Sequence, residues 1–394
     1  MERRHHYLFL SGLQTYFARR TSAEVRELFM NTAILDLAAG MILIFEPIYL
    51  YQQGVSIFRI MLFYLEAYVI YFFLLPLGAK FANIKGYEHS LLLASPFWVL
   101  YYISLFLVGY YAPIFLFIAP VFLALQKMFY WPGYHADFAQ YAITEETGRE
   151  VSNGLVIATM GQIVAPFLGG ALIKFFGYPV VFILASLLIA ISNIPTMLTP
   201  EKFVPKDFSY FKAYRRLFKP INRRALLGYL GYGEELILLT LWPIYIFLVL
   251  KSAFSVGVLA AVSAGLTILT VLSVGRLADK KNKMSLLRLT SVFYMFSWLL
   301  RTLRSGAAGL YLFHIFGSIC KNSVSVEITS LVYNRAKNYS VMKGIVLFEM
   351  ILVIGKILAI VVVLVLLAFV GQGSIFWFYS FLFAGVASLL YRFL

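Results

Sequence analysis

Apolar runs of about 20 residues, the length of helix that spans a hydrocarbon core, recur along the whole of this 394-residue chain. No stretch between them is long enough for a large soluble domain. Apolar residues make up 61% and charged residues 13%, against about 45–50% and about 25% in soluble domains, so too little polar surface is left to face water. The chain reads as an all-α integral membrane protein, because in lipid every backbone polar group must be satisfied within the segment. Apolar runs and the loop signals between them predict twelve transmembrane helices near 30–51, 55–77, 90–109, 112–131, 151–173, 177–197, 225–249, 253–275, 285–301, 307–329, 342–370 and 373–391. The Tyr110–Pro113 turn is very short, and Trp131-Pro132-Gly133 reads as an aromatic anchor followed by a turn.

The formal net charge is +15, and its distribution follows topology. With the N-terminus inside, 25 of the 33 Lys and Arg fall in inner segments and five (Arg59, Lys174, Lys251, Arg301 and Arg304) in outer ones. This positive-inside bias places both termini in the cytoplasm. No groove-reading motif accompanies the charge, so nucleic acid is not expected as a partner. Residues 1–29 read as a cytoplasmic amphipathic segment, with Arg3, Arg4, Arg19, Arg20 and Arg26 interleaved with Leu8, Leu13, Tyr16 and Phe17. The basic linker 199–224 carries Phe208, Tyr210, Phe211, Tyr214 and Phe218 and reads as a surface helix on anionic lipid, with a solvated cytoplasmic linker as the alternative. Compact loops point to a prokaryotic inner membrane. The single cysteine, Cys320, forms no internal disulfide and reads as a small buried side chain.

The chain carries a duplication. Glu46-Pro47-Ile48-Tyr49-Leu50-Tyr51 in the first span is matched by Trp242-Pro243-Ile244-Tyr245-Ile246-Phe247 in the seventh, 196 residues on. Gly78 and Gly275, each expected to close a span and open a short basic loop, lie 197 apart, which is half the length. Two matches at nearly one offset give two six-helix bundles, 30–198 and 225–394. They are parallel because each repeat makes an even number of crossings, and a substrate site is expected at their interface.

The loop Gly275-Arg276-Leu277-Ala278-Asp279-Lys280-Lys281-Asn282-Lys283 resembles the signature loop of the major facilitator superfamily, with Asn282 in place of its second glycine. In the fifth span, Gly161-Gln162-Ile163-Val164-Ala165-Pro166-Phe167-Leu168-Gly169-Gly170 looks like the glycine- and proline-containing motif of that family's exporters, with Ala165 in place of one glycine. On the residues alone, Gly161, Pro166, Gly169 and Gly170 form a helix-packing seam. The resemblance implies the fold of that superfamily, with spans one, four, seven and ten lining a central cavity. It further implies a gating loop in which Gly275, Asp279 and Lys280 face the start of span five, where Asp279 and Arg149 latch the cytoplasmic side.

Ionisable residues at bilayer depth are costly and mark function by default. Glu66, Glu234, Glu235 and Lys356 lie nearest mid-span, whereas Glu46 and Lys127 lie toward span ends. The family arrangement favours Asp36, Glu234, Glu235, His314 and Lys321 as transport or proton-coupling residues. Adjacent Glu234 and Glu235 point about 100° apart, so one is expected to face the cavity and the other a partner helix. The competing role is a structural ion pair with Lys356 or Lys321. Glu349 and Lys356, two turns apart, must each find a partner elsewhere. No metal-ligand spacing, nucleophile elbow or phosphate loop is present, so neither metal, cofactor nor enzymatic activity is expected. The expected function is secondary transport of a small solute by alternating access by a monomer, coupled to protons, with export of amphipathic compounds favoured by the seam. A membrane-embedded enzyme acting on lipid-linked substrates and a transporter-like sensor are the alternatives.

Overall fold

The computed structural model describes residues 23–141, 147–195, 204–280, 283–303, 306–337 and 340–394. The regular structure of these residues is entirely helical. In chain order the α-helices are α1 (Ala23–Leu43), α2 (Glu46–Gln52), α3 (Ile57–Lys85), α4 (Tyr87–Tyr141), α5 (Thr147–Phe176), α6 (Tyr178–Ser192), α7 (Tyr210–Leu217) and α8 (Arg223–Leu230). They continue as α9 (Gly233–Leu239), α10 (Leu241–Leu250), α11 (Ala253–Lys280), α12 (Lys283–Arg301), α13 (Ala307–Lys337), α14 (Val341–Val370) and α15 (Ser374–Ser388).

Among the described residues, six helical segments are long and apolar enough to cross a membrane, and three shorter ones are apolar. One long segment, α4, holds two of the expected spans. Its helical geometry breaks at Tyr111 (φ −137°, ψ 56°), just before Pro113, whose ring and missing N–H disfavour helix there. The two arms fold back on each other. Ser90 Oγ donates to the Phe129 carbonyl at 2.7 Å, and the Phe97 and Phe129 rings stack with centroids 5.6 Å apart. Chain reversals elsewhere use the left-handed backbone that glycine tolerates, at Gly177 (φ +80°) between α5 and α6 and at Gly371 (φ +68°) between α14 and α15.

Four expected boundaries are corrected. The first is Gly78, which does not open a loop, because α3 runs on to Lys85 and breaks at Gly86 (φ +112°). Gly78 instead lets α3 approach α4, since a Cβ there would lie 2.0 Å from the Met128 carbonyl oxygen. The second is Pro132-Gly133, which is no turn, because α4 continues to Tyr141. An added Cβ at Gly133 would stand 3.2 Å from the Tyr87 carbonyl oxygen, so this glycine too serves close packing. The third is the seventh span, which is three short pieces, α8, α9 and α10, interrupted at Gly231–Tyr232 and at Thr240. The fourth is Gly275, which opens no loop, because the helix α11 runs on to Lys280.

The repeated Pro-Ile-Tyr motifs occupy equivalent places. Pro47 lies in the first turn of α2, Pro243 in the first turn of α10, and both pieces follow a break in their span. Proline fits there because first-turn N–H groups have no intrahelical acceptor. α2 and α10 touch each other. The most extensive contact between any two helices joins α5 to α11, and α3 packs on α14, so the N- and C-terminal halves meet along two seams. Gly170 and Gly257 line the first seam, where added Cβ atoms would approach the Ala253 and Pro166 carbonyl oxygens at 3.0 and 2.3 Å. The outer surface is apolar, with Phe175 71% and Phe369 85% exposed, as lipid contact requires.

The linker helix α7 lies along α3. Asn83 Nδ2 donates to the Lys206 carbonyl at 2.7 Å, the Lys206 N–H returns a bond to the Asn83 carbonyl at 3.0 Å, and Tyr214 donates to the Phe72 carbonyl at 3.2 Å. Phe211 and Phe218 point outward, as in a helix resting on headgroups. Below, "linker end" denotes the end of the bundle that carries this contact.

Gly78→Ala should lower stability by about 1–3 kcal/mol, because the added methyl meets backbone rather than a movable side chain. Gly373→Ala, where an added Cβ meets nothing within 4 Å, should change it by less than about 0.5 kcal/mol. Thermal melts of the detergent-solubilised variants compare the two, and equal melting temperatures would show that the α3–α4 approach relaxes freely.

Candidate functional site

Two glycines set the position of the charged groups at mid-bundle. A Cβ at Gly233 would stand 2.7 Å from the Gly355 carbonyl oxygen, and one at Gly355 would stand 2.6 Å from the Leu230 carbonyl oxygen. Small residues at both positions let the α8–α9 break and α14 pack backbone to backbone. That approach brings Glu235 of α9 to Lys356 of α14, with Nζ 2.7 Å from Oε2. Lys321 of α13 completes the cluster, 2.6 Å from Glu234 Oε1 and 3.5 Å from Glu235 Oε1. Two carboxylates and two ammonium groups thus form an alternating quartet.

The two carboxylates have different surroundings. Glu234 is fully buried and accepts further hydrogen bonds from the Tyr294 and Tyr391 hydroxyls. Its side chain is enclosed by α12, α13 and the last turn of the chain. The Glu235 side chain is 23% exposed and is held by the two lysines. The lysines also lie over aromatic faces. Lys321 is 5.2 Å from the Tyr232 ring centroid, and Lys356 is 5.3 Å from that of Tyr68. Tyr68 belongs to α3, so this contact crosses between the halves. Lys127 of α4 approaches the same ring at 5.6 Å.

Nearer the linker end, a second polar group spans the halves. His135 of α4 lies 3.3 Å from Glu349 of α14 through Nε2 and 2.8 Å from the Tyr333 hydroxyl of α13 through Nδ1. Tyr71 of α3 donates to Glu349 at 3.0 Å. Glu349 and Lys356 therefore each find a separate partner, as their two-turn spacing requires.

Of the expected transport residues, Glu234, Glu235 and Lys321 come together, with Lys356 as the fourth member. Asp36 and His314 stand outside the quartet. Asp36 is half-buried on α1 against Gly161 of α5, and its Oδ2 has no hydrogen-bond partner among the described residues. His314 accepts the Trp242 indole N–H through Nδ1 at 2.8 Å and stacks on that ring, which puts the proton of the neutral imidazole on Nε2. The seam residues pack α5 on both sides. Gly161 faces α1, a Cβ at Gly169 would lie 2.4 Å from the Met41 carbonyl oxygen, and Gly170 and Pro166 meet α11. Arg149, Gly275, Asp279 and Lys280 have helical backbones, in α5 and α11, but their side chains lie outside the described residues.

Several participants escape sequence reasoning. Tyr294, Tyr391 and Tyr68 are three of 27 tyrosines, and nothing local distinguishes them. His135 falls in an expected cytoplasmic turn, whereas the continuous α4 carries it inward. Arg301 counts as an outer-loop cation by position but is only 2% exposed. In the N-terminal half, Glu46 accepts from Tyr64 at 2.6 Å and Glu66 pairs with Arg59 at 2.8 Å. Among the described residues no group of three or more His, Cys, Asp or Glu side chains is placed to hold a metal ion.

A sequence model of the Major Facilitator Superfamily matches residues 28–341. The fold is similar to the crystal structure of the human organic anion transporter MFSD10 (TETRAN), with a TM-score of 0.66 and 14% identity, over 93% of this chain and 99% of that one. At that identity the likeness is one of fold. No curated protein matches the chain.

Removing one member of a buried pair leaves an uncompensated charge, which costs about 3–5 kcal/mol. Lys356→Ala should therefore destabilise strongly. Glu235→Ala with Lys356→Ala should cost less than the sum of the two single changes, with a coupling energy of about 1–3 kcal/mol in a double-mutant cycle of thermal melts. Additive losses would mean that the two groups do not interact in the membrane.

Proposed function

The chain belongs to the Major Facilitator Superfamily, whose members are membrane transporters, and from that premise we propose that it is a secondary active transporter of a small amphipathic organic solute, linked to protons through Glu235. The observation that carries this reading is the quartet. Four charged side chains from three helices of the C-terminal half balance one another beside the N-terminal half, and Glu235 is the partly exposed carboxylate among them.

The proposed cycle follows from charge. With Glu235 ionised the quartet is neutral, and Lys356 rests against Tyr68 of the other half. A proton taken up by Glu235 leaves Lys356 with one partner fewer. The uncompensated ammonium then faces Lys127, which shares the Tyr68 ring. Like charges across a low-dielectric interface repel, so protonation favours separation of the halves or entry of an anionic group between them. Glu234, enclosed by Lys321, Tyr294 and Tyr391, is the fixed counter-charge. The described fold matches that of a protein named an organic anion transporter, which supports an anionic solute. Lys356, Lys321 and Lys127 supply the complementary charge.

Alternating access takes the form of twelve crossings in two bundles, 30–198 and 225–394, joined by the basic linker and rocking about the α5–α11 and α3–α14 seams. Both termini lie on the cytoplasmic face by the distribution of basic residues. Asp279 and Arg149 latch that face, and the glycine-rich seam of α5 favours export.

The test is proton movement in sealed liposomes carrying the purified protein and an internal pH dye. They are challenged with aromatic carboxylates, organic cations, uncharged amphipaths and sugars. A solute-evoked pH change, carried by one solute class and reduced at least about tenfold in Glu235→Gln, is expected. Solute uptake without a pH change would make the protein a uniporter. A pH change untouched by Glu235→Gln would place the carrier elsewhere.

A further inference from the structure

Away from the linker end a cavity of about 730 Å³ opens between the ends of α10, α12 and α15. That volume suits a small organic molecule. Its wall includes Tyr245 of α10, Thr302 just past α12, and Trp377 and Phe381 of α15. Among the described residues one charged side chain belongs to that wall, Arg301, the last residue of α12.

Arg301 is held in an unusual way for a buried cation. It is 2% exposed, yet none of its three guanidinium nitrogens has a hydrogen-bond partner among the described residues. The guanidinium carbon is 4.3 Å from the Trp298 ring centroid and 4.6 Å from that of Trp242, so two indoles flank it. Gly317 of α13 makes the space, since a Cβ there would lie 2.0 Å from Nη2. Trp242 is itself locked by its bond to His314. Nearby Glu234 is committed to Lys321, Tyr294 and Tyr391. Packing and cation–π attraction therefore position the side chain, while its five N–H donors go unused.

Cation–π contacts stabilise a buried cation only modestly. Leaving a charged donor group buried and unsatisfied costs more than that. A planar fork of this kind binds carboxylate or sulfonate oxygens in bidentate fashion. The aromatic wall beside it complements a flat apolar body.

We propose that this cavity is a binding site for amphipathic organic anions, in which the Arg301 guanidinium, enclosed by its two indoles in the ligand-free protein, shifts toward the cavity to pair with a carboxylate or sulfonate while Tyr245, Trp377 and Phe381 pack on an aromatic body. The site is separate from the quartet and lies at the end of the bundle away from the linker. It binds ligand whether or not Glu235 carries protons.

The experiment is equilibrium binding to the purified full chain in nanodiscs of zwitterionic lipid, read by quenching of tryptophan fluorescence and by calorimetry. The probes are 2-naphthoate, 2-naphthalenesulfonate and neutral 2-naphthol. Naphthoate and the sulfonate should bind saturably, with naphthol at least about tenfold weaker. Arg301→Met should abolish the preference for the anions, Arg301→Lys should weaken it by losing the fork, and Trp377→Ala should weaken all three probes. Removing an uncompensated buried cation should also raise the melting temperature of the ligand-free Arg301→Met protein, a result opposite to that for a merely structural arginine. Equal binding of naphthoate by the wild type and Arg301→Met overturns the proposal, as does a lower ligand-free melting temperature in that variant. Displacement of naphthoate by chloride alone at low millimolar concentration reassigns the group to a small inorganic ion. Displacement only by phosphatidylglycerol reassigns it to a lipid headgroup. Each of these outcomes leaves the proton assay of Glu235 unaffected, so the two readings fail separately.

Discussion

An ammonium group in hydrocarbon needs a partner, and the middle of this bundle is arranged around giving two lysines theirs. Lys321 and Lys356 enter from neighbouring helices, and Glu234 and Glu235 meet them from the short helix α9. The break that makes α9 short is part of the same arrangement. Gly233 and Gly355 bring two backbones to a separation no larger residue allows, and only at that separation do the side chains reach each other. The glycines, the interrupted span and the ion pairs are therefore one construction, and a larger residue at either glycine would open the charge cluster from the backbone side.

The fold was largely legible in the sequence because its main determinants are linear. Span length and the recurring Pro-Ile-Tyr motif survive without coordinates. Pro47 and Pro243 illustrate this, since each opens a short helix after a break in its span. Loop signals were less dependable. Gly78 and Gly133 read as loop and turn residues, but both sit inside helices where a neighbouring carbonyl passes close by. Glycine in a membrane helix has two uses, turn and close approach, and local sequence does not separate them.

The candidate site was legible only in part, for a related reason. Charges stand out in an apolar span, so Glu234, Glu235, Lys321 and Lys356 could be picked from the chain. Pairings depend on which helices are neighbours, and the phenols that satisfy Glu234 look like any other tyrosine. Arg301 shows the opposite failure. Its place at the end of a span resembles an outer-loop charge, and only the indoles of Trp242 and Trp298 closing over it reveal the burial.

The distribution of strong and weak contacts bears on how such a molecule can move. The short ion pairs seen among the described residues lie within a half: Glu234–Lys321 and Glu235–Lys356 in the C-terminal one, Glu66–Arg59 in the N-terminal one. Contacts between the halves are softer. Lys356 meets the face of Tyr68, Tyr71 and His135 share Glu349, His135 also bonds Tyr333, and elsewhere rings such as Phe138–Tyr333 and Phe167–Phe254 pack beside close-approach glycines. A cation over an aromatic face is worth about 0.5–2 kcal/mol, whereas breaking a buried ion pair costs several times that. Separating the halves thus gives up weak contacts and leaves the charged quartet intact within its own half. The exception is His135–Glu349, an ion pair only when the imidazole is protonated, and it sits between the quartet and the linker end. Whatever governs the charge on His135 therefore governs whether the two halves are joined at Glu349 by an ion pair.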